Sequence, residues 1–396
     1  MIDLISRRPA RAAALGLALL AGACDEPPES PLGPELGIAG EETQAWVASQ
    51  HGGERDRAFE VYSQNVYLGG DTGPLFSLDF SNLPAVLAAT NVFWNDVQQS
   101  DVPGRISEIA GEIASRQPDV VGLQEMLLFE ILDGSFAPVD DVDFLALIEG
   151  EIATRGLPYE TEVVQAATTS QLPLAFDPSV GVTRWLRFTD RVIILRRSDV
   201  WVTAVDQGVY AATYTLGPVT LKRGWARVSV DHRGVPHHFV TTHLEIQALA
   251  PVQAAQASQL LGLVAGLEGV TIIGGDLNSD AAAGPGAPSY TPTYELMLDS
   301  GFEDVWELAP RSRADPGYTC CQADDLRNQV SGLDQRIDFV LVRSSAGPTK
   351  DTAPGSGFYR FEQAGDEQLD RTPSGLWPSD HAGLVGSLGM LPEAAP

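Results

Sequence analysis

Five short segments end apolar runs with side chains that could do chemistry: Ser63-Gln64-Asn65, Leu123-Gln124-Glu125, Thr241-Thr242-His243-Leu244, Gly274-Gly275-Asp276-Leu277-Asn278 and Ser379-Asp380-His381. A sixth, Arg336-Ile337-Asp338-Phe339, fits the same description. A packed strand aims the residue at its end rigidly, so carboxylates, amides and imidazoles placed this way can converge on one cleft. The set suits phosphoryl chemistry. A phosphoester is anionic and resists water, so hydrolysis needs a cation against developing charge, a base for the water and donors for the phosphate oxygens. Asp276 and Asn278 stand two apart on an extended segment, so both can face one side. The plainer alternatives are an ordinary turn with Asx hydrogen bonds at Gly-Asp-x-Asn and a surface carboxylate at Glu125.

The elements that must position these groups are legible in outline. Phe59 to Asn65, Asp119 to Gln124, Val192 to Leu195, Ala226 to Val230, His238 to Thr242, Val270 to Ile273, Ile337 to Val342 and Leu384 to Leu388 read as strands. Ile106, Ile109, Ala110 and Ile113 recur at helical spacing before Pro118, and Pro251 to Leu267 reads as a helix opened by proline. Strands close together with a few helices between them predict an α+β sandwich, two packed sheets covered by helices. The stretches 126–190 and 279–335 are the least regular, and loops there would sit beside the motifs.

The chain has 396 residues, with 53 acidic against 25 basic side chains and a formal net charge of −28. Such a field repels polyanions and disfavours a general nucleic-acid binder, although a bound cation can reverse the sign inside one cleft. Arg7, Arg8 and Arg11 precede the apolar run Ala12 to Ala23, which reads as an export signal over 1–24. Leu20-Ala21-Gly22-Ala23-Cys24 is similar to a lipoprotein signal, with Ala21 where leucine is usual; the expectation is either a lipid on Cys24 and membrane anchorage, or plain secretion. Either way the protein is expected outside the cytoplasm. Residues 25–57 read as a flexible linker, and one folded domain is expected over 58–390, as a monomer.

The ordered set Asn65, Glu125, His243, Asp276 with Asn278, Asp338, and Asp380 with His381 resembles the endonuclease/exonuclease/phosphatase superfamily, the group with the DNase I-like fold, over about residues 59–388. The resemblance implies a four-layer α/β/β/α sandwich of two mainly antiparallel sheets with one active site at their edge. It implies Mg²⁺, with Mn²⁺ or Ca²⁺ as alternatives, on Glu125, Asp380 and Asn65, the last also serving as a partner to a catalytic carboxylate or a metal-bound water. Asp276 would activate the water and Asn278 would hold the phosphate or the water. His381 would contact the phosphate with Asp338 keeping it protonated, and His243 would donate to the phosphate or the leaving oxygen. One departure is Tyr67, which stands where some abasic-site nucleases of the group carry an acid; Asp71 is the nearby substitute.

Arg184, Arg187, Arg191, Arg196 and Arg197 cluster around Trp185 and Phe188 in a chain with two lysines, Lys222 and Lys350. Arg184, Arg187 and Arg191 could hold a substrate phosphate; alternatively the cluster is a strand edge paired with acids. Leu127 to Phe136 is apolar enough to touch a lipid, or simply to form core. Cys320 and Cys321 could form a vicinal disulfide or remain two thiols. The substrate expected is a phosphoester: a phospholipid head group, a nucleic acid or an inositol phosphate. An inactive surface-binding protein is the rival class, disfavoured because every expected polar position is occupied.

Overall fold

The computed structural model describes residues 58–310, 315–345 and 357–390. The export signal over 1–24, Cys24 and the linker over 25–57 lie outside the described residues. The first strand, β1 (Ala58–Asn65), shows how the layers arise. Side chains of a strand alternate between faces, so Phe59 and Val61 point into one apolar cluster and Tyr62 into another. Burial on both faces places such a strand at the centre of a sheet.

The remaining strands follow as β2 (Val120–Gln124), β3 (Leu128–Asp133), β4 (Pro138–Asp143), β5 (Tyr159–Asp177), β6 (Gly181–Arg197), β7 (Val202–Val209), β8 (Tyr214–Leu216), β9 (Val219–Leu221), β10 (Gly224–His232), β11 (Val235–His243), β12 (Val270–Asp276), β13 (Glu303–Asp304), β14 (Asp338–Ser344), β15 (Gly357–Ala364) and β16 (Gly383–Met390). The first sheet runs β15-β16-β1-β2-β6-β3-β4, with β5 also paired to β6. The second runs β13-β14-β12-β11-β10-β7, and β8 with β9 forms a separate hairpin. Only β1 with β2 and β11 with β12 pair in parallel among the described strands.

Val61, Val120 and Ile194 from the first sheet meet Val228, Phe239, Ile272 and Val340 from the second in a dry layer. The outer face of the first sheet packs on helices α1 (Leu83–Gln99), α2 (Val102–Arg116) and α3 (Phe144–Arg155). The outer face of the second packs on α4 (Ala250–Val264) and α5 (Thr293–Asp299). The result is the α/β/β/α sandwich. Helix α2 illustrates the local cause: Ile106, Ile109, Ala110 and Ile113 make its buried stripe, and the Asp101 carboxylate accepts the Gly104 N–H at 3.2 Å to cap the first turn.

The two sheets approach closely near the ends of β2 and β11. A Cβ on Gly122 of β2 would stand 2.6 Å from Thr241 Oγ1 of β11, so only glycine fits there. Gln124 spans the same gap, its side-chain amide donating to Thr241 Oγ1 at 2.8 Å and to Ser63 Oγ at 3.2 Å.

The structure corrects the irregularity expected for 126–190. That stretch contains β3, β4, α3 and a long hairpin of β5, with 19 residues, and β6, with 17. Its strands are half exposed and carry mixed polar and apolar residues, which blurs their period. The stretch 279–335 is mainly loop around α5.

Candidate functional site

Strand direction brings the motifs to one edge. β1, β2, β11 and β12 all end there in Asn65, Gln124, His243 and Asp276, while the antiparallel β14 begins there with Asp338. Register then sets side-by-side neighbours: Asp276 pairs with His243 on β11 and with Asp338 on β14. Beyond the strand ends the backbone turns left-handed at Tyr67 (φ 65°), Glu125 (φ 55°) and Asn278 (φ 51°). Such conformations cost about 1–3 kcal/mol each and cluster at functional sites.

Asp276 is the centre of the network. Its Oδ2 accepts from Asn65 Nδ2 at 3.1 Å, and its Oδ1 accepts the Asn278 N–H at 2.8 Å. Asn278 is held by its side-chain amide donating to the Leu244 carbonyl at 3.0 Å. Asn65 also donates to Glu125 Oε1 at 3.2 Å, while its own amide oxygen accepts the Tyr67 N–H at 2.9 Å. Asn65 thus ties the two carboxylates together. Glu125 Oε2 accepts the Leu68 N–H at 2.6 Å.

His381 and Asp338 form a pair, with Nδ1 donating to Asp338 Oδ2 at 2.8 Å. The other ring nitrogen, Nε2, faces Asp276 Oδ2 at 4.0 Å and Asp380 Oδ1 at 3.9 Å. Burial alone would push His381 down, but the carboxylates of Asp338, Asp380 and Asp276 hold it well above the usual imidazole range. Those carboxylates favour its imidazolium form. Asp276 shows the reverse: burial, then the charge of Asp338, push its carboxyl up to about 7. A carboxyl near neutrality is matched to proton transfer.

His243 is neutral. Burial, then Arg223 and His381, hold it well below the usual range. Arg223 donates to its Nδ1 at 2.9 Å, which leaves the proton on Nε2, facing Asp276 Oδ2 at 3.4 Å. The pair is a close approach and not a hydrogen bond, and donation from His243 to the phosphate or the leaving oxygen stays its expected role.

Glu125 and Asp380 are half-buried carboxylates whose pKa values rise, first from desolvation, and each sits among other charged groups. For Glu125 the next cause is the charge of Asp380. Asp338 Oδ1 is buried without a hydrogen-bond donor. Ligand oxygens and nitrogen of Asp276, Asp338 and His381 lie within 4.8 Å of one another. The carboxylates of Glu125 and Asp380, close enough for the charge of one to raise the pKa of the other, are hard oxygen donors that fit a divalent cation.

Several residues were not found from sequence. Arg223 follows the β8–β9 hairpin and donates to Glu245 Oε1 at 3.2 Å while facing Asp190 Oδ2 at 3.7 Å. Arg105 lies on the apolar stripe of α2, fully buried, and donates to the carbonyls of Val66 at 2.7 Å, Tyr67 at 3.2 Å and Ser100 at 2.8 Å. It fastens the chain that carries Asn65 and Glu125's partner Leu68; an arginine inside an isoleucine stripe was the available signal. Thr319 Oγ1 accepts the N–H groups of Ile337 and Asp338, both at 3.1 Å.

The arginine cluster is corrected. Arg187 is bidentate to Glu130 at 2.6 Å, Arg191 pairs with Asp143 and donates to the Met126 and Leu127 carbonyls, Arg196 pairs with Glu160 and Glu162, and Arg197 with Asp119 and Asp199. Neither Arg184, Arg187 nor Arg191 lines the cleft. Tyr67 lends its hydroxyl to the Asp324 carbonyl at 2.8 Å, and Asp71 is exposed, accepting the Gly73 N–H at 2.7 Å. The Cys320 and Cys321 sulfurs lie against each other, and Cys320 is bridged to His381 in an isolated β-pairing. Leu127, Phe129 and Leu132 are core, while Phe136 is exposed.

The sequence profile of the Endonuclease/Exonuclease/phosphatase family matches residues 88–381, more than half of the chain. Among solved structures the chain is similar to an endonuclease/exonuclease/phosphatase family protein from Leptotrichia buccalis C-1013-b, at 14% identity and a TM-score of 0.50, over 84% of this chain and 99% of that one. It is also similar to an endonuclease/exonuclease/phosphatase from Beutenbergia cavernae DSM 12333, at 19% identity and a TM-score of 0.50, over 84% of this chain and 72% of that one. At these identities the likeness is one of fold. No curated protein matches the sequence. The matched span starts after β1, yet Asn65 touches both Glu125 and Asp276.

Proposed function

Since the chain belongs to the endonuclease/exonuclease/phosphatase family and is a phosphoric ester hydrolase, we propose that it cleaves a phosphodiester with water, Asp276 taking the water's proton. The position of Asp276 carries this reading: clamped by Asn65 and Asn278, faced by the His243 Nε2 proton, and held near neutrality. The water oxygen bonds to phosphorus as its proton passes to Asp276. The bond from phosphorus to the leaving oxygen breaks, and that oxygen takes the proton of His381 Nε2. The 4.0 Å between His381 Nε2 and Asp276 Oδ2 lets the proton return after product leaves. Asp338 keeps His381 charged until that step.

Glu125 and Asp380 would hold a divalent cation, Mg²⁺ or Mn²⁺ by their hard oxygen donors. When bound it neutralises charge on the phosphate oxygens. We place the reaction outside the cytoplasm, with residues 1–24 directing export and Cys24 the lipid anchor. Loss of fatty-acid labelling and release from membranes in Cys24→Ala would support the anchor; unchanged membrane attachment would refute it.

The deciding experiment uses bis-p-nitrophenyl phosphate. Turnover is expected with Mg²⁺ or Mn²⁺, abolished by EDTA, and lowered roughly 10²-fold or more in Asp276→Asn. No metal-dependent turnover, or a wild-type rate in Asp276→Asn, would overturn the proposal.

A further inference from the structure

The catalytic edge opens into a cavity of about 520 Å³ whose other walls are apolar. Such a volume lies within the range of small-molecule sites. Asp276, Glu125 and His381 line it together with Phe93, Phe129 and Phe188, which belong to the apolar cluster between the first sheet and its helices. The cavity therefore leads from the reacting carboxylates into that helix-covered core. Leu75 and Phe80 on one side and Val219 on the β8–β9 hairpin complete it. The hairpin is seated tightly there: a Cβ on Gly217, at φ +54°, would meet the Phe80 ring at 2.4 Å.

The charged residues of this space gather at the catalytic end, and Thr72 and Thr168 are the hydroxyls on its apolar walls. Among the described residues that line it, Arg223 is the one arginine and there is no lysine. Arg223 is already tied to Glu245 and His243. With a net charge of −28 and Arg187, Arg191, Arg196 and Arg197 of β6 paired with acids, the cleft lacks the cationic track that a polynucleotide backbone requires. An apolar chamber joined to a phosphoester site is built for a substrate whose phosphate carries a hydrocarbon group.

We propose that the cavity binds a single hydrocarbon chain of the substrate, so that the enzyme's substrate class is a one-chain alkyl or acyl phosphodiester. The inference rests on the hydrolase reading above. The volume of one chamber and its enclosure by Phe93, Phe129 and Phe188 favour one chain over two. Leu127 and Phe129, the apolar run after Glu125, serve as its wall.

The test is kcat/KM of the metal-loaded protein on methyl, butyl and octyl 4-nitrophenyl phosphate. Each buried methylene is expected to raise it roughly twofold to fourfold until the cavity is full. Val219→Trp, and Leu221→Trp as a second filling variant, should lower the ratio of octyl to methyl kcat/KM at least tenfold. Dodecyl phosphate should bind more tightly than butyl phosphate by calorimetry, and less so in the filled variants. A flat chain-length series, an increase untouched by both variants, or a thymidine dinucleotide cleaved faster than the octyl ester would overturn the proposal. Equal rates on a single-chain phospholipid and on its two-chain counterpart in vesicles would overturn the one-chain assignment. Absence of turnover on the methyl ester as well, with dodecyl phosphate still bound, would instead defeat the hydrolase reading.

Discussion

Asp338 and Asp276 are neighbours across two strands, yet their surroundings push them to opposite tasks. Asp338 accepts the hydrogen bond from His381, and its charge helps lift the pKa of Asp276. Asp338→Asn removes a carboxylate that favours the imidazolium form of His381, so turnover should fall roughly 10- to 10³-fold with the fold intact by circular dichroism; a rate within twofold of wild type would separate Asp338 from the chemistry. The arginines make the contrasting case. Arg187 is spent on Glu130 at the surface, so Arg187→Ala should leave kcat/KM within about twofold. Arg223→Met strands buried Glu245 and half-buried Asp190 and frees His243 Nδ1, so it should lower both stability, by about 3 kcal/mol, and turnover. Denaturant unfolding of the two variants side by side checks this. The sequence showed the arginines of β6 as a cluster because they are close in the chain. It concealed that Glu130, Asp143, Glu160 and Asp119, which neutralise them, come from other elements.

At the scale of elements, the site depends on how closely two sheets can meet. Gly122 and Thr241 make that contact, and Gln124 ties across it. Gly122→Ala would force the sheets apart next to Glu125 and Asn65. We expect a loss of about 1–3 kcal/mol in urea unfolding together with reduced turnover; unchanged stability would mean the sheets tolerate the added methyl. Apolar strands with one dominant period, such as Val270 to Ile273, were legible because burial on both faces leaves a continuous apolar run. The β5–β6 hairpin was not, because its outer reaches mix exposed and half-buried residues and the period fades. Helix α2 was legible in its isoleucine stripe, but Arg105 within that stripe acquires its meaning only from carbonyls on distant loops.

Across the whole molecule, the acid side of the stability curve has an identifiable contributor. His237 is buried against Phe59 and His232, with its Nδ1 donating to the Val235 carbonyl at 3.0 Å and its Nε2 without a partner. Burial pushes its pKa down from 6.5 to about 4; His232 and His238 push the same way, against Asp231 and the Val235 bond. The unfolded chain thus binds the extra proton between those values, so this contribution is full above pH 6.5 and is lost as pH falls toward 4. It amounts to at most about 3 kcal/mol. His237→Leu should flatten that part of the curve relative to wild type; identical slopes would remove His237 from it. The sequence by itself determined the polar residue at each strand end and the order of the motifs, since apolar runs and their terminators are local properties of the chain. That order was enough to imply the family. Only the tertiary structure decided how those residues divide the work, because the register of β11, β12 and β14, the clamp from Asn65 and the proton on His243 are set by partners far away in sequence. The same holds for the apolar chamber beside them: its walls come from α1, β3, β6 and the β8–β9 hairpin, and no single segment contains it.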